Sequence, residues 1–272
     1  MPSDTPGPSG RALVFSIAFN GYQWLYRRNI STHRAYAQRH GLDYVLVQRP
    51  AMTSLLMECC WVKLPLILSA FEAGYEWVFF IDADAEIRPA SPDFRSLAAP
   101  GKSLYMAHGF SGRVNSGVII ACNRRDVRDL LVGVVSSFAK PLPAEDEVGW
   151  GENGHIIHAA KHAPFLEVIP PAWNNNHSPG LADHVRHYSA GPMRSLYQMD
   201  RLSRLIPAVS RLAQKVANRT GAYRYSHDKF PDRLMRLHGA CVRSHAQVFR
   251  PLRKADVFQA GGPPTTSGEP AR

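Results

Sequence analysis

The sequence predicts an α/β fold: a mostly parallel, twisted sheet with helices on both faces, followed by a basic helical extension. Three observations predict it. The first half alternates short apolar runs with helix-period segments in the order β-α-β-α-β, the pattern of parallel strands joined by crossover helices. Glu76 to Asp82 (EWVFFID) is apolar between its two end residues, as a strand buried on both faces must be. The net charge of +10 is also confined to one segment. Residues 200–254 hold thirteen Lys and Arg against three Asp and Glu, and the remaining residues balance at nineteen against nineteen.

Taken in order, residues 1–10 read as a disordered tail, 11–195 as one α/β domain, 196–258 as the basic helical extension and 259–272 as a second disordered tail. Ala12 to Phe19 (ALVFSIAF) is a buried strand. Tyr22 to His40 has helical period, with Tyr22, Tyr26, Ile30 and Ala37 on one face and Gly41 at the stop position. Asp43 to Gln48 is a second strand. Cys60 to Ala73 is a helix that tolerates Pro65 near its first turn and ends at Gly74. Leu104 to Ala107, Ser116 to Ala121 and Leu166 to Ile169 read as further strands, and Asp126 to Ala139 as an apolar helix. In the basic segment Leu202, Leu205, Ile206, Val209, Leu212 and Val216 recur at helical spacing, with Arg204, Arg211 and Lys215 on another side. Pro207 kinks or restarts that helix.

Composition excludes several classes. With 45% hydrophobic and 20% charged residues, the 272-residue chain has the profile of a folded protein. No run reaches the ~18 apolar residues of a membrane span, and the N-terminal stretch lacks the apolar core of a signal peptide. The expected location is therefore the cytoplasm, with peripheral attachment at the inner membrane face as the extension of that reading. Four cysteines, two of them adjacent (Cys59 and Cys60), give neither a disulfide framework nor a CxxC metal spacing, and read as reduced, mostly buried thiols. The basic segment fits a polyanion or an anionic membrane surface. Nucleic acid is disfavoured, because no zinc-finger, helix-turn-helix or aromatic-basic RNA-binding signature occurs. Packing of the apolar stripe on the α/β domain is the plain alternative.

Parallel sheets bind ligands beyond the carboxyl ends of their strands, so the residues after Phe19 and after Ile81 carry the chemistry. Asp82-Ala83-Asp84 follows the most apolar strand. Two carboxylates at i and i+2 there are costly to desolvate without a cation or donors, and both can turn toward one Mg²⁺ or Mn²⁺ whose shell is completed by substrate phosphate oxygens. Asn20 and Tyr22, after the first strand, can hydrogen-bond and stack on a nucleoside. Helix capping and core packing explain them nearly as well.

Trp61-Val62-Lys63, the run from Gly74 through Asp82-Ala83-Asp84-Ala85, and Arg113-Val114-Asn115-Ser116-Gly117-Val118-Ile119-Ile120 resemble the nucleotide-sugar glycosyltransferases of the Rossmann-like GT-A fold. The resemblance is to the galactosyl- and xylosyltransferases of the mannan and xyloglucan type. It continues weakly through Trp150-Gly151-Glu152-Asn153 and Ile169-Pro170-Pro171-Ala172-Trp173-Asn174, covering roughly Arg11 to Gly191.

The resemblance implies a metal-dependent transfer of a hexose or pentose from a nucleotide-sugar donor, with UDP favoured, to a glycan or glycolipid acceptor, with retention. It implies that Asp82 and Asp84 hold the metal on the donor diphosphate, with His187 as third ligand and His184 or His177 as alternatives. It places Arg194 or Arg113, and Lys63, near the phosphates, and Phe19, Asn20 and Tyr22 at the nucleotide. Glu152 and Asn153 stand where these families usually show aspartate-glutamine, and Asn115, Asn174 and His155 are sugar-hydroxyl partners. Asp146, Glu147 and Glu152 are the acids available for acceptor chemistry. The rival readings are a sugar nucleotidyltransferase, for which the Gly-rich basic loop after strand one is missing, and a non-catalytic carbohydrate- or polyanion-binding protein.

Overall fold

A computed structural model describes residues 10–149, 151–189, 191–200, 203–219 and 228–258. Residues 1–9 and 259–272, expected as disordered tails, lie outside the described residues, as do Trp150, Ala190 and Leu202.

The expected strands form, with small shifts of boundary, as β1 (Ala12–Ile17), β2 (Asp43–Val47), β3 (Trp77–Ile81), β5 (Leu104–Ala107), β6 (Val118–Cys122) and β7 (Leu166–Ile169); β4 (Ala85–Ile87) and β8 (Val185–His187) are additional. The six pair in the order β2-β1-β3-β6-β5-β7. β1 is parallel to β2 and β3, and β5 to β7, while β6 runs antiparallel to both its neighbours. The sheet is thus mostly parallel.

Alternation along each strand splits the core into two layers. Leu13, Phe15, Val78, Phe80, Ile119 and Ala121 face one layer; Ala12, Val14, Trp77, Phe79, Ile81, Val118 and Ile120 face the other. The second layer is closed by α2 (Arg27–Arg39), through Tyr36 and Ala37, and by the small β4·β8 sheet. The first is closed by α3 (Leu56–Trp61), α4 (Lys63–Glu72), α5 (Arg125–Ser136), α6 (Asn153–Ala160) and α8 (Phe230–Ser244).

Two helices read as continuous are broken, each for a local reason. The first divides into α1 (Tyr22–Leu25) and α2 at Tyr26, whose φ of −106° and ψ of 23° leave the helical region. The Tyr26 ring is buried there between Tyr22 and Tyr197, so tertiary packing overrides the helical period. The second divides into α3 and α4 at Val62. Pro65 has no N–H for the carbonyl of Trp61, four residues back, so the ladder is interrupted there. Pro207 restarts rather than kinks its helix: α7 (Ile206–Arg219) begins one residue before it.

Basic residues 228–258 do not all lie outside the core. Leu234, Leu237 and Cys241 of α8, Phe249, and Val257 of α9 (Lys254–Val257) join the first layer, and Ser69 Oγ lies 2.6 Å from His238 Nε2. Among the described residues no helix is long and apolar enough to cross a membrane. All four cysteines are free; Cys122 and Cys241 are buried.

Two buried histidines make the fold acid-sensitive. Burial lowers the pKa of His33 and of His238 from 6.5 to about 4. His33 is held as a neutral ring: its Nδ1 lies 2.8 Å from Ser16 Oγ and its Nε2 donates to the Ala85 carbonyl at 2.8 Å. A lowered folded-state pKa means that the unfolded chain binds protons first, so stability is complete above pH 6.5 and falls as pH drops from there toward 4. The loss should be on the order of 3 kcal/mol per histidine. Urea midpoints at pH 7 and pH 4.5 measure it. His238→Gln should flatten the fall, and an unchanged slope would assign the acid sensitivity to other groups.

Candidate active site

β3 ends at Ile81, and its last residues pair antiparallel with the start of β6, Ile81 opposite Val118. Asp82 therefore leaves the sheet at its carboxyl edge, with its N–H donated to the Gly117 carbonyl at 2.8 Å. Asp84 precedes β4, whose register with β8 sets Ala85 opposite His187. That ladder brings a histidine from over one hundred residues away onto the two aspartates. Nε2 of His187 lies 3.2 Å from Asp84 Oδ1 and 3.7 Å from Asp82 Oδ2. Ligand atoms of Asp82, Asp84 and His187 all fall within 4.8 Å of one another.

The supporting groups orient this trio. Asn174 Nδ2 donates to Asn115 Oδ1 at 3.0 Å, which leaves Asn174 Oδ1 as acceptor for His187 Nδ1 at 2.8 Å. The Nδ1 proton is thereby fixed and Nε2 faces the aspartates, the ring orientation metal-ligating histidines adopt. Asn115 Oδ1 also accepts from the Gly117 N–H at 3.1 Å. A Cβ on Gly117 would lie 2.1 Å from His187 Cε1 and 2.9 Å from Asp82 Oδ2, so the asparagine-serine-glycine run needs glycine because these two side chains pass over its backbone.

The two carboxyls differ electrostatically. Burial raises the pKa of Asp82 above the usual carboxylate range, against the opposing pull of Lys63. Burial acts the same way on Asp84, but the charge and hydrogen bond of His187, with Arg194, outweigh it and hold Asp84 low. For His187 burial favours the neutral ring, and Asp84 overrides it and raises the pKa. Two oxygen donors and one imidazole, already surrounded by cations, fit a hard or borderline divalent ion.

Behind Asp82 lies a buried charge network. Lys63 Nζ is 2.9 Å from Glu152 Oε1, 3.6 Å from Asp82 Oδ1 and 3.2 Å from the Ser116 carbonyl, and Ser116 Oγ donates to Glu152 Oε1 at 2.6 Å. Burial would lower the Lys63 pKa, but Asp82 and Glu152 raise it, so the ammonium stays charged. Expected at the phosphates, Lys63 instead has its donors turned to protein acceptors.

These groups open on a cleft of about 690 Å³, lined also by Phe19, Asn20, Tyr22, Arg113, Asn115 and Asn153. Asn20 adopts a left-handed φ of 54° and its Oδ1 accepts from the Thr53 N–H at 2.7 Å, so the turn itself uses this amide oxygen. Tyr22 is 44% exposed at the mouth, its ring centroid 5.2 Å from that of Tyr26. Asn153 Oδ1 accepts from the Ser116 N–H at 2.8 Å. Arg113 donates to the carbonyls of Glu145 and Glu147, and Arg194 reaches the trio from above, 3.2 Å from Asp84 Oδ2. Other candidates fall elsewhere. Asp146 is buried against His158 and Lys161, His155 is bonded to Ser137 and packs at a tilt on Trp61, and His184 packs on Trp173. His177 Nδ1 lies 3.3 Å from Asn176 Oδ1, and Glu147 and His155 border a second cavity with Trp61 and Phe230.

With this geometry in place, residues 13–92 match the model of the galactosyl transferase GMA12/MNN10 family. The match contains Lys63, Asp82 and Asp84. A glycosyltransferase involved in glycosylation of the major capsid of PBCV-1 superposes with a TM-score of 0.53 at 16% identity, covering 68% of this chain and 97% of that one. The family match and the fold are those of a glycosyltransferase. The fold is GT-A, in agreement with the motifs that resembled it. The glycosyltransferase GlyE of Streptococcus pneumoniae is similar at a TM-score of 0.43 and 13% identity, over 74% of this chain and 60% of that one. A Drosophila β-1,4-galactosyltransferase 7 variant, solved with manganese, UDP-Gal and xylobiose, is similar at 0.39 and 12%, over 72% and 79%. No curated protein matches the chain.

Sequence reasoning missed the part Ser116 plays in the glycosyltransferase cleft, where its two oxygens join Lys63 to Glu152. It also missed Asn176, whose Oδ1 fixes the Phe110 N–H at 2.9 Å on the cleft wall. A serine or an asparagine in a loop carries no spacing signal. Only the run Asn174-Asn175-Asn176, three amides that are all fully buried, marks that loop as something other than a solvated turn.

Proposed function

We propose that the protein is a metal-dependent glycosyltransferase that moves a hexose or pentose from a nucleotide-sugar donor, a UDP-sugar, to a glycan or glycolipid acceptor with retention of configuration. The observation that carries the reading is the Asp82–Asp84–His187 trio at the carboxyl edge of a GT-A sheet, within 4.8 Å and open to the cleft. Asp82, Asp84 and His187 would hold Mn²⁺ or Mg²⁺, and a bound divalent ion offsets the charge that develops on a departing diphosphate.

The remaining chemistry belongs to the chain. Tyr22 offers its ring to the base, and Arg194, stacked over Tyr26 at 5.6 Å, brings a guanidinium to the phosphate side of the trio. Asn115 and Asn153 line the sugar end of the cleft. Glu152 beside them accepts from Lys63 and from the Ser116 hydroxyl, contacts that suit a carboxylate that holds or faces the sugar.

The test is a donor panel read by product, with Mn²⁺ present. A UDP-sugar should release UDP, and UDP with Mn²⁺ should raise the melting temperature, since a ligand of the folded state stabilises it by mass action. At a hundred times Kd the gain is about 2.7 kcal/mol, or roughly 5–10 °C for a chain of this size. Release of pyrophosphate from UTP and a sugar 1-phosphate, with no UDP released from the UDP-sugar, would point to the nucleotidyltransferase instead. No release and no shift with any nucleoside diphosphate would end the reading.

A further inference from the structure

Helix α7 carries the most conspicuous surface outside the cleft. Leu205, just before it, is 62% exposed, and Val209, Leu212 and Val216 are 63%, 63% and 53% exposed. Their spacing of four, three and four residues puts all four on one stripe. The stripe is not the docked face. Ile206 packs against the Ala18, Leu25 and Tyr26 cluster, and Ser210 Oγ would lie 2.2 Å from a Cβ on Gly21, so the docked side is the one bearing Ile206 and Ser210. At ~100° per residue this side and the side bearing Arg204, Arg211 and Lys215 flank the stripe on opposite edges. These three cations are exposed as well.

We infer that α7 is an interfacial helix that seats the protein on an anionic bilayer, its apolar stripe in the acyl boundary and its cations among the headgroups. The charge supports this occupant over a second copy of the chain. The segment 200–254 has a net charge of +10, so pairing two such segments through α7 is opposed, whereas an anionic surface is drawn to them. The placement also gives the anchor a purpose. Gly21, against which α7 docks, adjoins Tyr22 at the mouth of the cleft, and α1 there also exposes Trp24. On the glycosyltransferase reading, the acceptor delivered to this mouth is then a lipid-linked glycan.

The experiment is co-sedimentation of the full chain, without donor, with vesicles of phosphatidylcholine alone or mixed with phosphatidylglycerol. Binding should be confined to the anionic vesicles and be released at ~1 M salt, where the Debye length falls to ~3 Å. Val209→Asp and Leu212→Asp replace exposed side chains, so the core is untouched, and each should weaken vesicle binding roughly tenfold or more. Their melting shift with UDP and Mn²⁺ should match the wild type. That shift reports on the donor reading separately: its loss in the wild type would remove the lipid-linked acceptor while vesicle binding still upheld the anchor. Failure to bind either vesicle, equal binding by the variants, or a lipid-free dimer that Leu212→Asp splits would overturn the anchor.

Discussion

Asp82→Asn and Asp84→Asn should each lower transfer by about three orders of magnitude or more, while their effects on the metal-free fold should differ. On the proposed function, the activity loss follows from removing one of two carboxylates that would hold the cation at a departing diphosphate, a contribution of several kcal/mol. The stability contrast follows from their surroundings. Asp82 carries a pKa raised mainly by burial, so its charged form is disfavoured by the fold and an amide there relieves that cost. Asp84 is held low by His187 and Arg194, so its charge contributes to folding above the carboxylate range and is lost in the amide. Without metal, Asp82→Asn should melt within about 3 °C of the wild type, and Asp84→Asn should melt below it. Chelation should reproduce the activity loss in the wild type and add nothing to either variant. Retained turnover in both variants would make the pair a structural turn.

Lys63→Met should be the most damaging single change to the fold near the site. The side chains of Lys63 and Glu152 are 6% and 5% exposed, and the lysine is the cation facing that carboxylate at 2.9 Å. Removing one partner of a buried pair leaves an uncompensated charge and costs about 3–5 kcal/mol, or roughly 10 °C in melting temperature here. Glu152→Gln in the same chain should restore most of that loss, because the orphaned charge goes with it, while Ser116 Oγ keeps an acceptor. A double-mutant cycle by thermal unfolding measures the coupling. If the double variant melts no higher than the single one, the pair contributes packing only. Activity should be lost in both, which separates the stability role of the lysine from the presence of Glu152 in the cleft.

Much of this site was legible before the fold, and the reason is local. The two aspartates stand out because Val78-Phe79-Phe80-Ile81 leaves no doubt about a buried strand, and carboxylates directly behind such a strand need a reason to be there. The strand itself is buried along its whole length. Gly117 was readable as part of a motif, but its requirement is a distance to His187 that no local pattern contains. The histidine expected beside the two aspartates was one of three by sequence. The choice among them is made by β4 and β8, three-residue strands too short for any periodic signal, whose register places His187 opposite Ala85.

What the sequence determined by itself is what depends on neighbours a few residues apart: the order of strands and helices, the mostly parallel sheet, the carboxylates at its carboxyl edge, and the amphipathic pattern of Leu205 to Val216. Tertiary structure alone decided what depends on residues far apart in the chain. It broke the first helix at Tyr26 because that ring packs between Tyr22 and Tyr197. It paired Lys63 with Glu152, carried α8 into the main core, and left the stripe on α7 facing outward. Periodicity reports which side chains share a face; only packing determines whether that face meets the protein or is left open to a partner.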